Sequence, residues 1–447
     1  RAGVYDSGGT SNVMIGGYSA RWRLPARVAI SKTIIVRSEN NDPINTVIKG
    51  VWSSDGRTNG PDAVRCAYVA DGASLIGFTL TGGATLTTNE EYASSPDRSG
   101  GGVYARSFLA NISNCIIIGN SAFGDPRGSA RGGGGACGGK YLNCVFISNS
   151  SPLRGGGTDH ALLFNCVVAG NSSGWGGSGG SYGGSLYNCL ISNNVTAGSG
   201  GGLSGWSQAN PCKVHDSVIV ANKAGRDGGG AGPHAKLLRC MVVSNVASND
   251  GGGACGTEVT KCLFAGNKAK NGGGLYAGMV SDCVVVYNIA SSWGGGAAGS
   301  SLYNCLLYGN QAADAGGAYG SALRNCTVVG NYASHYGGGT ANYGANVDII
   351  NSIVYSNYAG DANRQNWARD SGGGLTFISS CTPTNQAGPM PVWSTSTTNN
   401  PLFISFGSGY GTNHIPGDYN LESSSPCPHA GCKLDWKAPA FTFQSGN

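Results

Sequence analysis

The sequence predicts an all-β protein built as a single parallel β-helix with irregular ends. An Asn repeatedly follows a Cys or Ser by five positions between residues 115 and 357, at a period of 21 to 29 residues that is typical of a solenoid. The apolar core of each repeat is about three residues long, too short for a helix and suited to a buried strand. Glycine supplies 78 of the 447 residues, and each one disfavours a helix interior by about 1 kcal/mol relative to Ala.

The recurrent Asn marks the point where each strand gives way to a turn. Stacked side-chain amides can hydrogen-bond to the coils above and below, which satisfies groups that would otherwise be buried unpaired. We therefore predict a structural ladder. Its members are Asn120, Asn149, Asn171, Asn194, Asn222, Asn245, Asn267, Asn288, Asn310, Asn331 and Asn357.

The chain has sixteen Cys, and nine of them share one ladder column with Ser217 and Ser352. Stacked side chains are held parallel at nearly 5 Å, whereas a disulfide needs Cβ atoms about 3.5 to 4.5 Å apart. We predict free, buried thiols that act as small hydrophobes. Zinc is the alternative, but the column lacks paired ligand spacing and any His in register. No metal or other cofactor is expected.

Three further Cys lie in irregular, Pro-rich sequence near the C-terminus. Cys381, Cys427 and Cys432 stand where a covalent link would help most. The favoured pair is Cys381 with Cys427, and Cys427 with Cys432 is the other pairing. Either bond predicts an oxidising, extracellular compartment.

The pattern divides the chain into three regions. Residues 1–100 are predicted to form an N-terminal cap with the first irregular coils, 101–375 the regular repeats, and 376–447 a loop-rich C-terminal cap with a strand-like tail at 438–443. The charged fraction is 11 %, the net charge is +5 and the Lys and Arg residues do not cluster, which argues against nucleic acid and anionic membranes as partners. No apolar run approaches the roughly 20 residues of a membrane helix.

One column of side chains is the candidate binding site. It lies just before the Gly triplets, on six successive coils flanked by Arg226 and His335. Acids and aromatics at a spacing of about 5 Å suit a polysaccharide or a cell-surface glycan, whose sugar faces stack on rings and whose hydroxyls need polar partners. We call this column the stripe; it consists of Asp227, Asp250, Asn271, Trp293, Asp314 and Tyr336.

Two alternatives to glycan binding remain for the stripe. Asp and Asn are favoured in plain polar turns. A catalytic or Ca²⁺ site would instead need carboxylates from neighbouring coils gathered with a base in one groove, and no catalytic residue is assigned. The remaining His residues show no partner pattern and are predicted to lie at the surface: His160, His215, His234, His414 and His429.

The strands that follow the ladder Cys are apolar on both faces. If the Cys and the residue two after it point inward, the residues one and three after it point outward. A strand apolar on both faces is usually covered on both, so we predict that a partner subunit or a folded-back terminal segment packs along this outer wall. With the C-terminal tail, the wall predicts head-to-tail or lateral self-association. The wall includes Ile116, Ile118, Val145, Ile147, Val218, Val220, Met241, Val243, Val284, Val286, Leu306, Tyr308, Ile353 and Tyr355.

These motifs resemble those of known bacterial surface proteins. Gly316-Gly317-Ala318, Phe146/Asn149 and Phe264/Asn267 are similar to the repeat motifs of chlamydial polymorphic outer-membrane proteins, and the repeats resemble large secreted β-helix proteins of the Verrucomicrobia and Planctomycetes type. The C-terminal region resembles the module called choice-of-anchor Q. The residues that carry this second resemblance are Asn400, Pro401, Leu402, Phe403, Asp418, Tyr419, Asn420, Leu421, Ser425, Pro426, Cys427, Ala430 and Gly431.

The resemblance implies a right-handed coil and display at a bacterial cell surface or outside the cell. Such families imply a structural or adhesive role more often than a defined chemistry. A protein that binds or cleaves polysaccharide, as a lyase or hydrolase, is the alternative. The sequence begins at Arg1 and stops soon after Gly431, so we expect a processed form or fragment that lacks the signal peptide and the anchoring segment.

Overall fold

A computed structural model describes residues 2–10, 24–87, 95–124, 132–344, 346–369, 374–384, 392–427 and 430–434. Within these residues the chain is β-strand and turn, with short 3₁₀ helices at Ser95–Arg98 and Gly411–Asn413. The chain packs as two compact units. Unit 1 comprises residues 1–225 and 231–235, and unit 2 comprises 226–230 and 236–447. The described part of the chain contains no helix with the length and apolarity to span a membrane.

Each unit is a stack of coils, and a full coil passes through four strands. We name each strand by the sheet that it forms with its equivalents in the other coils. In chain order, the strand after the Gly triplet belongs to sheet 2 and the next strand to sheet 3. The strand after the ladder Cys or Ser then belongs to sheet 1, and the strand after the ladder Asn to sheet 4. Equivalent strands of successive coils pair in parallel, as Val284–Val286 does with Leu306–Tyr308. The predicted parallel β-helix is thus confirmed in each unit, whereas the handedness of its coil and the boundaries at 100 and 375 stay predictions.

In unit 1 the stacking begins before the regular repeats. Sheet 1 consists of Gly3–Tyr5, Thr46–Lys49, Thr79–Thr81, Ile116–Ile118, Val145–Ile147, Val167–Ala169, Leu190–Ser192 and Val218–Val220. Sheet 2 consists of Ala26–Ile30, Arg65–Val69, Val103–Ala105, Ala136–Cys137, Thr158–Asp159, Ser181–Tyr182 and Leu203–Ser204. Sheet 3 consists of Ile35–Arg37, Ser74–Ile76, Asn111–Ser113, Lys140–Leu142, Leu162–Phe164, Ser185–Tyr187 and Cys212–His215. Sheet 4 consists of Ser150–Ser151, Ser172–Ser173, Val195–Thr196 and Lys223–Ala224.

Unit 2 repeats the same four sheets. Sheet 1 consists of Met241–Val243, Leu263–Ala265, Val284–Val286, Leu306–Tyr308, Thr327–Val329 and Ile353–Tyr355. Sheet 2 consists of Ala254–Cys255, Leu275–Tyr276, Ala297–Ala298, Ala318–Tyr319, Thr340–Asn342 and Trp367–Arg369. Sheet 3 consists of Ala235–Leu238, Glu258–Thr260, Met279–Ser281, Ser301–Tyr303, Ala322–Arg324, Val347–Ile350, Leu375–Ile378 and Val392–Ser394. Sheet 4 consists of Val246–Ala247, Lys268–Asn271, Ile289–Trp293, Gln311–Ala312, Tyr332–Ala333 and Tyr358–Ala359.

The Asn column forms the predicted ladder in both units. Asn267 donates to the Oδ1 of fully buried Asn288 from both its backbone N–H and its Nδ2, each at 2.9 Å. The Nδ2 of Asn288 donates in turn to Asn310 Oδ1 at 3.0 Å and to the carbonyl of Phe264 at 3.1 Å. The amide of Asn288 therefore bonds both to neighbouring coils and to backbone, which satisfies groups buried in the core. In unit 2 the ladder runs one position beyond the prediction, to Asn366.

The Cys column is also hydrogen-bonded. All sixteen Cys are free thiols in the structure. The N–H of Cys144 points to Cys166 Sγ at 3.4 Å, and the N–H of Cys189 donates to Ser217 Oγ at 3.0 Å. This column therefore requires a small side chain that accepts a hydrogen bond. That requirement explains the alternation of Ser and Cys better than our expectation of a small hydrophobic side chain.

Near the C-terminus, the structure brings one of the two candidate Cys pairs together. The thiols of Cys381 and Cys427 are hydrogen-bonded to each other and lie in one apolar cluster. Cys432 instead donates its backbone N–H to Thr327 Oγ1 at 3.1 Å. A disulfide between Cys381 and Cys427 stays a prediction.

In unit 2 a folded-back C-terminal segment covers the outer wall. Phe403 is buried in a cluster with Val329 and Ile353. Backbone hydrogen bonds fasten the segment to the coils, from Gly411 N–H to the carbonyl of Gly330 and from Gly431 N–H to that of Asn351, both at 2.9 Å. We predicted that either a partner subunit or a terminal segment covers this wall, and in unit 2 the structure shows the terminal segment. We call residues 401–433 the clasp.

The wall of unit 1 is less deeply buried. Ile116, Ile118, Val145 and Ile147 are half-buried, and Leu190 on the same face is 39 % exposed. Both units thus share the two-sided apolar strand, but the clasp residues named above pack on unit 2. The strand-like tail at 438–443 lies outside the described residues.

Candidate functional site

Backbone pairing brings the six stripe residues together in unit 2. The N–H of Gly251 donates to the carbonyl of Asn271, and the N–H of Gly272 to that of Trp293. The same bond recurs at each step, so equivalent residues stand one coil apart, at about 4.8 Å. The Gly residues make this stacking possible, because a Cβ on Gly253 would meet the carbonyl oxygen of Gly274 at 2.6 Å.

The first half of the stripe is polar. Asn271 Nδ2 donates to Asp250 Oδ1 at 2.9 Å, and the Oδ1 of Asn271 is buried without a hydrogen-bond partner. Burial, followed by the carboxylates of Asp227 and Asp250, raises the pKa of the Cys255 thiol to about 12. These groups therefore lie close together, and one of them is an unmet buried acceptor, which costs about 1 to 3 kcal/mol to leave unpaired.

The second half of the stripe is aromatic. Trp293 is 43 % exposed, and its ring stacks on Tyr319 with centroids 5.2 Å apart and planes 14° apart. Tyr336 is 38 % exposed, and the guanidinium of Arg364 lies 5.0 Å from its ring centroid. Trp293 is thus held as a fixed platform by the ring behind it, which suits stacking against a flat apolar surface.

Asp314 lies between these two aromatic residues in the column. Burial raises the pKa of Asp314 above its ordinary value of 3.8, although the charge of His335 opposes the shift. His335 Nδ1 stands 3.5 Å from Asp314 Oδ1. The hydroxyl of Tyr343, whose pKa is raised by burial and by the charge of Asp314, is buried without a hydrogen-bond partner. The site therefore combines an acidic group with unmet polar atoms and exposed rings.

Three contributors to this site escaped the sequence analysis. Tyr319 lies in the column next to the stripe, where it pairs with Ala298, and neither it nor Tyr343 was predicted as a site residue. Arg364 continues the stripe, since the N–H of Gly337 donates to its carbonyl at 2.7 Å, but no Gly triplet follows it. The periodic spacing of the neighbouring column was the signal that could have identified Tyr319.

One His residue contradicts the surface position predicted for it, and His429 lies outside the described residues. His414 is buried within the clasp, because it packs against Tyr308 and Tyr419. His160 is paired with the buried carboxylate of Asp159. Of the flanking residues, Arg226 and His335 are both exposed.

The described residues contain no group of three or more His, Cys, Asp or Glu side chains placed to hold a metal ion. The stripe can accept hydrogen bonds through carboxylate and amide oxygens and can offer aromatic faces, which is the chemistry of a sugar-binding surface. In comparisons with known proteins, the sequence matches no family model and no curated protein.

Proposed function

We propose that the protein is an extracellular, adhesive β-helix that binds polysaccharide along the stripe. The observation that carries the proposal is the exposed Trp293 ring, backed by Tyr319 and placed two coils from the half-buried Asp250. An exposed ring near an acidic group suits a sugar, which offers an apolar face and hydroxyl donors together. A plain polar turn has no need of a stacked aromatic platform.

Cleavage of the polysaccharide is the second candidate, and Asp314 is the observation that favours it. A carboxyl whose pKa is raised by burial suits a general acid. Hydrolysis also needs a second carboxylate about 5 to 9.5 Å away, whereas the nearest stripe carboxylate, Asp250, lies three coils from Asp314. Binding is therefore the function that this geometry favours.

The test compares the parent with Trp293→Ala combined with Asp250→Ala on a broad glycan array and on insoluble polysaccharides. The double variant should bind at least about tenfold more weakly, a loss of about 1.4 kcal/mol, with little change in melting temperature because Trp293 is exposed and Asp250 is half-buried. Trp175→Ala is the matched control, since Trp175 is 75 % exposed on a turn of unit 1.

A parent that retains no glycan, or a double variant that binds as the parent does, would refute the proposal. Release of soluble fragments that disappears in Asp314→Asn would instead establish cleavage.

Self-association remains part of the proposed adhesive role. In unit 2 the clasp occupies the outer wall, so lateral contacts there would have to displace it. Light scattering of the chain at increasing concentration tests the idea, with deletion of residues 433–447 as the variant that removes the tail. A parent that stays monomeric would exclude self-association.

A further inference from the structure

A second cleft lies in unit 1, at the corner between sheets 2 and 3. Three successive coils turn this corner with two residues each, at 138–139, 160–161 and 183–184. The coils on either side use longer loops, at 106–110 and 205–211. The short corners form a floor and the loops form two walls, which together enclose a cleft of about 400 Å³.

Hydrogen bonds fix both walls in place. In the first loop, Ser107 Oγ donates to Asp71 Oδ1 at 2.7 Å, and the carbonyl of Leu109 accepts from Gly72 N–H at 3.1 Å. In the second loop, Asn210 N–H donates to the carbonyl of Ser207 at 3.1 Å. The cleft is therefore preorganised, which lowers the entropy lost when a ligand binds.

The floor carries an unusual pair of residues. Asp159 is fully buried in a column that elsewhere holds Tyr, Cys and Ser. One of its oxygens contacts His160 Nδ1, and the other accepts the N–H of Gly132. A buried carboxylate is tolerated when it is paired, and here it fixes the orientation of the imidazole and leaves Nε2 for the cleft.

His160 occupies a corner position that glycine fills on both neighbouring coils. Its φ is +49°, and those of Gly138 and Gly183 are +67° and +64°. Holding a side chain in this left-handed conformation costs about 1 to 2 kcal/mol. The ring lies over Gly183, where a Cβ would approach its atoms at 3.3 to 3.5 Å. Ala277 takes the same conformation after the equivalent sheet 2 strand of unit 2, with φ +51°, so the distinguishing feature of this corner is the imidazole and the glycine that leaves space beside it.

The walls supply positive charge and aromatic surface. Arg106 in the first loop and Lys213 in the strand after the second loop are exposed and line the cleft, and none of the described residues that line it is Asp or Glu. Phe108 in the first wall is 48 % exposed. Trp206 in the second loop lies beside the cleft lining; it is 46 % exposed, and its ring centroid is 6.0 Å from that of His160. The neighbouring acids Asp71 and Asp159 accept hydrogen bonds from behind the lining, so the two exposed cations favour an anion, and the rings favour a sugar over a small inorganic ion.

We propose that this cleft binds a carboxylate-bearing sugar of an acidic polysaccharide. Arg106 and Lys213 face the carboxylate, the exposed rings contact the sugar, and His160 hydrogen-bonds to it through Nε2. The site is separate from the stripe, because all of its residues lie in unit 1. It selects a negatively charged ligand, whereas the stripe presents acidic and neutral groups.

Calorimetric titration with tetragalacturonate tests this site, with its carboxyl-reduced counterpart as the neutral ligand and a heparin tetrasaccharide as the sulfated one. The parent should bind tetragalacturonate and not the reduced sugar. Arg106→Ala and Lys213→Ala should each weaken binding at least about tenfold. Lys223→Ala is the control, because Lys223 is exposed on sheet 4 of the same unit.

A sharper variant replaces Asp159 by Ser and His160 by Gly together. This change reproduces the chain's own Ser204-Gly205 at the equivalent corner, so the fold and melting temperature should survive while binding falls at least about tenfold. Trp293→Ala in the stripe should leave this binding unchanged, which separates the two sites. The proposal is wrong if tetragalacturonate does not bind, if only the sulfated sugar binds, or if the cleft variants bind as the parent does.

Discussion

The imidazole of His414 lies directly against the backbone of Gly330. A Cβ on Gly330 would stand 2.4 Å from His414 Cε1, and the carbonyl of Gly330 accepts the N–H of Gly411 at 2.9 Å. Gly330 immediately precedes a ladder Asn, so the clasp rests on the coil stack at a position where only glycine leaves room for it.

Gly330→Ala should therefore loosen the clasp. The added methyl group overpacks the contact, which typically costs about 1 to 3 kcal/mol, and hydrogen exchange should quicken at residues 403–427. Gly170→Ala is the control, because Gly170 also precedes a ladder Asn and has a φ of +61° against +66° at Gly330, but its Cβ would meet only Ser148 Oγ, at 4.0 Å. Equal losses of stability in the two variants would mean that the clasp contact contributes nothing.

The clasp should also loosen in acid. Burial lowers the pKa of His414 below its ordinary 6.5, against opposing hydrogen bonds to backbone carbonyls. The unfolded clasp therefore binds more protons than the folded one, so its stability is fully present above pH 6.5 and falls as the pH drops toward the folded pKa. The pKa of Tyr419, which is hydrogen-bonded to His414, is raised by burial, so this hydroxyl stays protonated throughout that window.

Hydrogen exchange of the clasp across this pH range, corrected for the intrinsic exchange rate, measures the effect. His414→Phe keeps an aromatic ring and removes the titration, so its exchange should no longer respond to pH in this window. An unchanged response in that variant would assign the effect to another group.

The positions of the stripe residues could be predicted from sequence because strand pairing fixes them. Asp250 and Asn271 are neighbours whenever their coils stack in register, and the recurring Asn sets that register. Side-chain partners across columns could not be predicted in the same way. Tyr319 stacks on Trp293 across the turn at Gly294, whose φ is +66°; the repeat period places Tyr319 in its own column but does not show that the two rings meet.

The clasp and the cleft show two other limits. Apolar residues on both faces of a strand indicate that something covers the outer face. The hydrophobic effect is non-directional, however, so it does not identify which segment covers that face. Phe403 packs on Val329 through a contact between residues far apart in sequence. In the cleft, Asp159 and His160 are adjacent in sequence, yet their significance depends on the burial of the carboxylate, which appears only in the folded chain.

The ladder should be a main source of stability in mid-stack. Asn288→Leu removes the acceptor of two hydrogen bonds from Asn267 and the donor to Asn310. Leaving buried polar groups unpaired should lower the free energy of unfolding by about 1 to 3 kcal/mol, as measured by urea denaturation. Asn40→Leu is the control, because Asn40 is exposed. A fully stable Asn288→Leu would contradict the buried ladder.

The ladder thiols should be hidden in the native protein and free after unfolding. All nine ladder Cys are buried, so a reagent in solvent cannot reach their sulfur atoms in the folded chain. Iodoacetamide should label the native chain slowly. In denaturant without reductant, the ladder Cys should be labelled completely, as counted by mass spectrometry. A linked peptide containing Cys381 and Cys427 would establish that disulfide without affecting the ladder, whereas oxidation of nearly all sixteen Cys would overturn the free-thiol column.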